Sequence, residues 1–566
     1  MKYPVYLALG TLAILPLTLS AQSPVDAYNL SQTELRGTAR FMSMGGAFTA
    51  LGGDLSTLNQ NPAGIGIYRS SEVGLTLDLN ILGSKANGTK WDNTHFDVNT
   101  FGYVGTYNFG QNSTMQTFSW GVSYSRLKSF ARQYRGGGMP LNTSMSNYIA
   151  KFTDGIDPAD MTFSDGYNPY QSSNIDWLSI RSYSAGIINP EVHDGTDNAG
   201  QPIFQLGNRY SGLFQHPMNG LSGNPTTGNV DAFSVRERGY IDEYSINFGG
   251  NVSNIVYWGL GIGIDDINFE QVTYYGENLV SANAPVMEQK PQSKEAYYVG
   301  IAEGNDNWNL RNSKKITGTG VNLKFGLIVK PVNELRIGAA IHTPTWYSLS
   351  TSYVGEMSSQ TMFPSGNHEN YNFNDYTDDA YFDWNLKTPW KFMIGAAGVI
   401  GGRGIISVDY QYDAYGSMKT SDSQGDFDIF NQGVKNYFKS TNTLRIGGEY
   451  RINPQFSVRA GYNYSSTAVK PEAANGDIEV ITAGTDPGYT LQNTTNTFSA
   501  GLGYRSRGFY VDFAYIYRHT DATWHAFTNF QDYNGNWVEA PTAKVDLNSS
   551  QLVLTLGYKF GCFITL

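Results

Sequence analysis

From Glu72 onward the chain alternates. Val73, Leu75, Leu77, Leu79 and Ile81 are apolar, while Gly74, Thr76, Asp78 and Asn80 are small or polar, which predicts a strand with one greasy face and one wet face. The same sign recurs at 101–109, 118–124, 244–248, 258–264, 321–329, 335–341, 390–396, 406–412, 444–450, 456–464, 498–504, 509–517 and 552–560. Fourteen strands are predicted in all.

The connections between them sort by parity. Those after even strands are tight (110–113, 253–254, 331–334, 401–402, 452–454 and 506–508), while those after odd strands are long. The largest loop spans 130–239 and includes an NYIAKF segment that predicts a short helix; others span 270–314, 350–380 and 470–492. An antiparallel barrel in an outer membrane sorts its loops this way, with short turns at one rim and long external loops at the other. A soluble β-sandwich has no reason to do so.

The two faces give the environment. The wet face carries Asp78, Asp265, Lys324, Arg336, Asp409, Arg445, Glu449, Arg459, Asp512, Arg518 and Lys559. Fourteen strands enclose a lumen too wide for side chains alone to fill, so a charged inside and an apolar outside mean lipid outside. Trp258, Trp390, Tyr462, Tyr464, Tyr515 and Tyr517 suit interfacial aromatic girdles. The predicted fold class is therefore all-β: a 14-stranded antiparallel transmembrane β-barrel in the cell outer membrane.

Composition agrees. The 566 residues include 14% aromatics, 39 Tyr and 63 Gly, with only 15% charged residues. Beyond the leader, no apolar run is long enough for a membrane-spanning helix. Lys2, the apolar stretch 5–19 and Leu19-Ser20-Ala21 read as a signal peptide over 1–21, with the mature chain starting at Gln22. The only cysteine is Cys562, so no internal disulfide and no cysteine metal cluster is expected. A net charge of −11 without a basic cluster argues against a nucleic-acid partner.

One stretch does not alternate. Residues 37–66 pack seven glycines, two methionines, two phenylalanines and the turn Asn61-Pro62 together, with Ser43, Thr49 and Asp54 spaced like helix starts. It predicts a compact folded segment, too glycine-rich for one long helix. Placed before fourteen strands with a charged lumen, it becomes the expected plug: a hatch over 22–71 precedes a barrel over 72–566.

No enzymatic constellation emerges. His95, His193, His216, His342, His368, His519 and His525 form no HExxH, and no GxSxG or P-loop spacing occurs. The acidic clusters at 303–306 and 375–379 match no EF-hand loop; they read as solvated loops, with Ca²⁺ binding as the alternative. The lumen charges are mixed in sign. That favours Arg–carboxylate pairs gripping a plug over an ion-selective constriction, which would present one sign.

At Gly45-Gly46-Ala47-Phe48 and Asn61-Pro62-Ala63-Gly64 the chain resembles the outer-membrane long-chain fatty acid transporter family, the FadL/TodX group. The segments LRIGGEYRINPQFSVRAGYNY (444–464) and KTPWKFMIGAAG (387–398) extend that resemblance along the barrel. It implies a monomer whose N-terminal hatch gates passive transport of hydrophobic compounds such as long-chain fatty acids, with no cofactor and no covalent chemistry. Exit in that family is through a gap in the barrel wall. By the same resemblance Asn61, Pro62 and Ala63 hold the hatch at the periplasmic end, Gly45, Gly46 and Phe48 lie in its interior, and Gly64 is a further hatch residue. Alternatively NPAG simply turns the chain into the first strand. Expected partners are outer-membrane lipids and a hydrophobic small molecule. The rival functions are a structural or interaction barrel, its external loops meeting a protein partner, and a general porin.

Overall fold

The structure, a computed structural model, describes residues 23–110, 113–172, 174–196, 202–214, 225–289, 296–363, 368–532, 535–561 and 563–564. The signal-peptide stretch 1–21 and Cys562 lie outside the described residues.

Fourteen strands form the wall: β1 Ser71–Ala86, β2 Thr89–Asn108, β3 Met115–Ser129, β4 Thr227–Val252, β5 Val256–Gln289, β6 Ala296–Val332 and β7 Leu335–His342, then β8 Lys391–Ile400, β9 Gly404–Asp413, β10 Thr441–Arg451, β11 Phe456–Ser465, β12 Tyr489–Ser506, β13 Phe509–His525 and β14 Thr542–Phe560. Each pairs antiparallel with the next. Strand β14 pairs back onto β1, from Ser71↔Phe560 to Ala86↔Val545. That last ladder closes the sheet into a barrel.

Every predicted strand is present, but several run much farther. β1 and β2 meet in a two-residue hairpin at Asn87-Gly88, both at positive φ, so no long loop joins them. β5 and β6 are 34 and 37 residues long and absorb most of the stretch expected as the loop 270–314. About ten residues suffice to cross a membrane. Beyond it both faces of a strand meet water or a polar loop, the apolar alternation fades, and the sequence there resembles a loop.

The wall is inside-out relative to a soluble barrel. Phe101, Val122, Ile246, Ile264, Phe325, Ile337, Ile394, Ile446, Leu502 and Leu556 are exposed on the outside. Asp78, Asp265, Lys324, Asp409, Arg459 and Asp512 are buried on the other face. This is the distribution of a barrel whose surrounding solvent is lipid.

The N-terminal segment contains α1 Pro24–Ser31, α2 Ala39–Ser43, α3 Thr57–Gln60 and a 3₁₀ turn Pro62–Ile67. After β3 the chain builds an external crown that includes α4 Met145–Thr153, the helix expected at NYIAKF, and α5 Trp177–Ser184. Met145, Ile149, Ile180, Phe233, Trp308, Trp524 and Phe527 share one buried apolar core there. Glu277 of β5 pins the crown down: its carboxylate accepts from the Met145 amide at 2.9 Å and from the Ser144 hydroxyl.

Candidate functional site: the N-terminal segment against the inner wall

The segment folds around its caps. Ser23 Oγ accepts from the Asp26 amide at 3.0 Å, Thr38 Oγ1 from the Phe41 amide at 3.1 Å, and Asn61 Oδ1 from the Ala63 amide at 3.1 Å. The helix starts expected at Ser43, Thr49 and Asp54 are not where the helices begin. Ser43 ends α2, and the Thr49 amide points outward to the wall, donating to Asp409 Oδ2 at 2.7 Å. Asp54 instead ties two turns together, accepting from the Thr38 hydroxyl at 2.8 Å and the Ser56 amide at 3.0 Å.

The residues singled out from the sequence come together in this packed unit. Asn61 is fully buried and its Nδ2 donates to the Thr49 carbonyl at 2.6 Å, joining the turn before the 3₁₀ segment to the GGAF stretch. Pro62 opens that 3₁₀ segment. Ala63 packs in a small core with Tyr257 and Ile328 of the wall. The Gly64 carbonyl accepts from the Gly53 amide at 3.1 Å. Gly45 has φ +64°, a left-handed turn that lets its backbone lie directly on β11 at Tyr462. Gly46 accepts from Gln60 Nε2 at 2.8 Å. Phe48 is fully buried, 5.3 Å from Phe41 between ring centres, with the Arg40 guanidinium 5.2 Å from its own.

The wall is cut to receive this unit. Eleven of the fourteen strands place a glycine on the inner face where a Cβ would press on the segment. A methyl at Gly259 would collide with Pro62, at Gly326 with Asn61, at Gly338 with the Thr49 carbonyl, and at Gly447 and Gly461 with Met44. At Gly501 it would stand 2.5 Å from Ser43 Cβ. These glycines lie in register with one another: Gly249↔Gly259, Gly259↔Gly326, Gly338↔Gly395 and Gly447↔Gly461. They form a belt of bare backbone on which residues 43–66 sit.

Polar contacts lock the seat. The Ala39 amide donates to Thr555 Oγ1 at 2.7 Å, Arg336 Nη1 to the Leu51 carbonyl at 2.7 Å, and Lys324 Nζ to Asn59 Oδ1 at 2.5 Å. Arg40 pairs with Glu449 at 2.9 Å; Glu449 also takes Arg459 at 2.6 Å, and Arg459 continues to Asp512 at 2.6 Å. Arg36 reaches Asp78 at 3.3 Å and Asp97 at 3.2 Å. Glu34 bonds Arg36 and Arg518, each at 3.0 Å; burial opposes its charge, but the two guanidiniums hold its carboxyl well below the usual range. Residues 23–31 are held by apolar packing, with Val25 and Tyr28 in one core, Tyr28 stacked 4.5 Å from Phe438, and Ala27 and Leu30 in another, and by Lys314 on Asp26 and Lys128 on the Asn29 carbonyl, both at 2.6 Å.

Among the described residues, neither acidic cluster brings three ligand side chains together. Asp306 accepts from the Thr361 hydroxyl, Asp375 pairs with Arg181 at 2.9 Å, and Asp378 accepts from Asn168 at 2.7 Å.

Two further features bear on passage. The β2–β3 ladder runs only from Thr100↔Ser125 to Asn108↔Thr117. Farther out, β2 stays with β1 and β3 with β4, and Arg126 spans the seam, 2.6 Å from both Asp97 and Asp242. Between the segment and the wall lie two chambers with empty volumes of about 1280 and 960 Å³, parts of which open to solvent; the larger borders β10–β13 and the smaller includes Asp265, Lys324 and His342.

Arg36, Arg40, Met44 and the wall glycines were not singled out from the sequence as site residues. Their signal was nonetheless present: Gly74, Gly259, Gly338 and Gly461 all fall on the wet face of the predicted strands, where a small residue has no reason to recur unless another backbone comes close.

Fold and site together define a closed fourteen-stranded membrane barrel, greasy outside and charged within, against whose inner wall its own N-terminal segment packs. In overall shape the chain is similar to a Pseudomonas aeruginosa FadL homologue (11% identity, TM-score 0.47, covering 94% of this chain and 100% of that one). It is also similar to the P. putida toluene transporter TodX (12%, TM-score 0.45, covering 94% and 100%) and the Ralstonia pickettii toluene transporter TbuX (14%, TM-score 0.42, covering 93% and 99%). No family model matches the sequence, and no curated protein matches it.

Proposed function

We propose that this protein is an outer-membrane transporter in which the N-terminal segment is a hatch and passage is passive, without cofactor or covalent chemistry. The observation that carries this is the fit of residues 43–66 to the glycine belt, which puts a folded unit of the chain across a lumen that the wall alone leaves wide. Residues 38–67 are the fixed body of the hatch, since backbone meets backbone there.

Hydrophobic compounds, long-chain fatty acids among them, are the substrate class that the sequence resemblance suggests. The solved proteins of similar shape include the toluene transporters TbuX and TodX. The β2–β3 seam supports a lateral route, because side chains rather than a ladder close it there. The test is uptake of labelled dodecanoate and toluene by cells with and without the protein. Faster uptake of either with the protein present supports the reading. Equal uptake, together with a protein co-purifying in fixed ratio through the crown, would instead establish an interaction barrel.

A further inference from the structure

The outer face of the last two strands carries a cluster that neither the N-terminal segment nor the lumen uses. On β13, Phe513 is exposed among the lipid-facing residues while Trp524 is buried in the crown core, so His519 and Asp521 lie between lipid and crown. Both point outward: Thr520 and Ala522, which alternate with them, are buried. The ladder sets Asp521 directly opposite Asp546 of β14, and His519 opposite Asn548. These four side chains occupy the corners of one rectangle on the outside of the wall.

Two carboxylates facing each other across a ladder repel. Lys544 lies 3.6 Å from Asp546 and 3.9 Å from Asp521, but its side chain is 74% exposed and its charge is screened by water. The imidazole is held in one orientation. Asn548 Oδ1 accepts from the Tyr517 hydroxyl at 2.9 Å and from His519 Nδ1 at 2.8 Å; an amide oxygen can only accept, so Nδ1 carries a proton. Nε2 is then turned to Asp521, 3.3 Å from its Oδ1. A histidine whose Nδ1–H is fixed by an oxygen and whose Nε2 faces carboxylates is arranged as metal-binding histidines are. One ligand atom from each of His519, Asp521 and Asp546 lies within 4.8 Å of the others, and no other group of three such side chains comes this close among the described residues. Around Zn²⁺, with bonds of about 2.0–2.2 Å, ligand atoms stand about 3.4 Å apart, so modest rotation of these half-buried side chains completes the set.

We propose that His519, Asp521 and Asp546 bind a divalent ion of the zinc type on the outer surface of the barrel. One imidazole nitrogen with two carboxylates suits Zn²⁺ better than Ca²⁺ or Mg²⁺, which take oxygen ligands. The ion clamps β13 to β14, beside the ladder that closes the barrel, and adds no chemistry to passage. The inference goes beyond the proposed transport function and does not rest on it.

The test is calorimetric titration of the untagged, EDTA-stripped full-length barrel in detergent with Zn²⁺, Ca²⁺ and Mg²⁺. Saturable binding of one Zn²⁺ per chain is expected, at least tenfold tighter than Ca²⁺ or Mg²⁺. H519Q and D521N should each weaken it tenfold or more, whereas H368Q, at an exposed histidine elsewhere, should leave it unchanged. K544M removes a competing ammonium and should bind at least as tightly as the parent. Unboiled-gel migration checks that each variant is folded, and Zn²⁺ should raise the temperature at which the folded band disappears in the parent but not in D521N. No saturable Zn²⁺ binding, an affinity no better than for Ca²⁺, or binding unchanged in both H519Q and D521N overturns the proposal. Any of these results leaves the transport reading untouched, because that reading is tested by uptake and conductance.

Discussion

Gly338 and Gly398 sit on adjoining strands, yet only one of them faces the segment. A Cβ at Gly338 would strike the Thr49 carbonyl, whereas at Gly398 its nearest neighbour is 3.9 Å away. G338L is therefore expected to unseat the N-terminal segment and G398L to leave it in place, read as new protease cleavage within residues 37–66 in the first variant and none in the second. Arg459 makes a different prediction. Its loss strands Asp512, a buried carboxylate with no other ion pair among the described residues, so R459M should destabilise the barrel by about 3–5 kcal/mol. The check is the temperature at which the folded band disappears on unboiled gels; an unchanged temperature would count against the network. At this scale Asn61 and Phe48 were legible in the sequence as motif members. Arg36 and Arg40 were not, because a single arginine in a leader-proximal stretch carries no local sign of the carboxylates it will meet on distant strands.

Elements were the most legible level. Period-two alternation located all fourteen strands because the membrane demands an apolar residue at every outward position of the crossing segment. It stopped locating them where that demand ends, so the long outer halves of β5 and β6 and the hairpin at Asn87-Gly88 passed for loops. The crown rests partly on buried carboxyls outside the membrane. Burial raises Asp176, the N-cap of α5, and Asp486, in the loop before β12, each to about 6. A carboxyl raised in the folded state stabilises it below the unfolded value near 3.8, and that contribution is lost as pH rises through 6. Amides of α5 and of residues 471–488 should thus exchange faster at pH 7.5 than at pH 4.5, after correction for intrinsic rates. Equal protection at both values would show that these carboxyls do not govern the crown.

For the whole molecule, the closed barrel was legible in the parity of the loops, and the odd composition of residues 37–66 marked them as a compact folded segment. What the sequence could not convey was the mutual fit, because a belt of glycines on eleven strands becomes visible only once register aligns them. If this fit keeps the barrel shut, single-channel recording in planar bilayers will show it. The intact protein should show little ion conductance, and a variant lacking residues 37–66 should show large, steady openings. A large constitutive conductance in the intact protein, or no increase on deletion with the barrel still folded, would mean that the segment does not close the lumen.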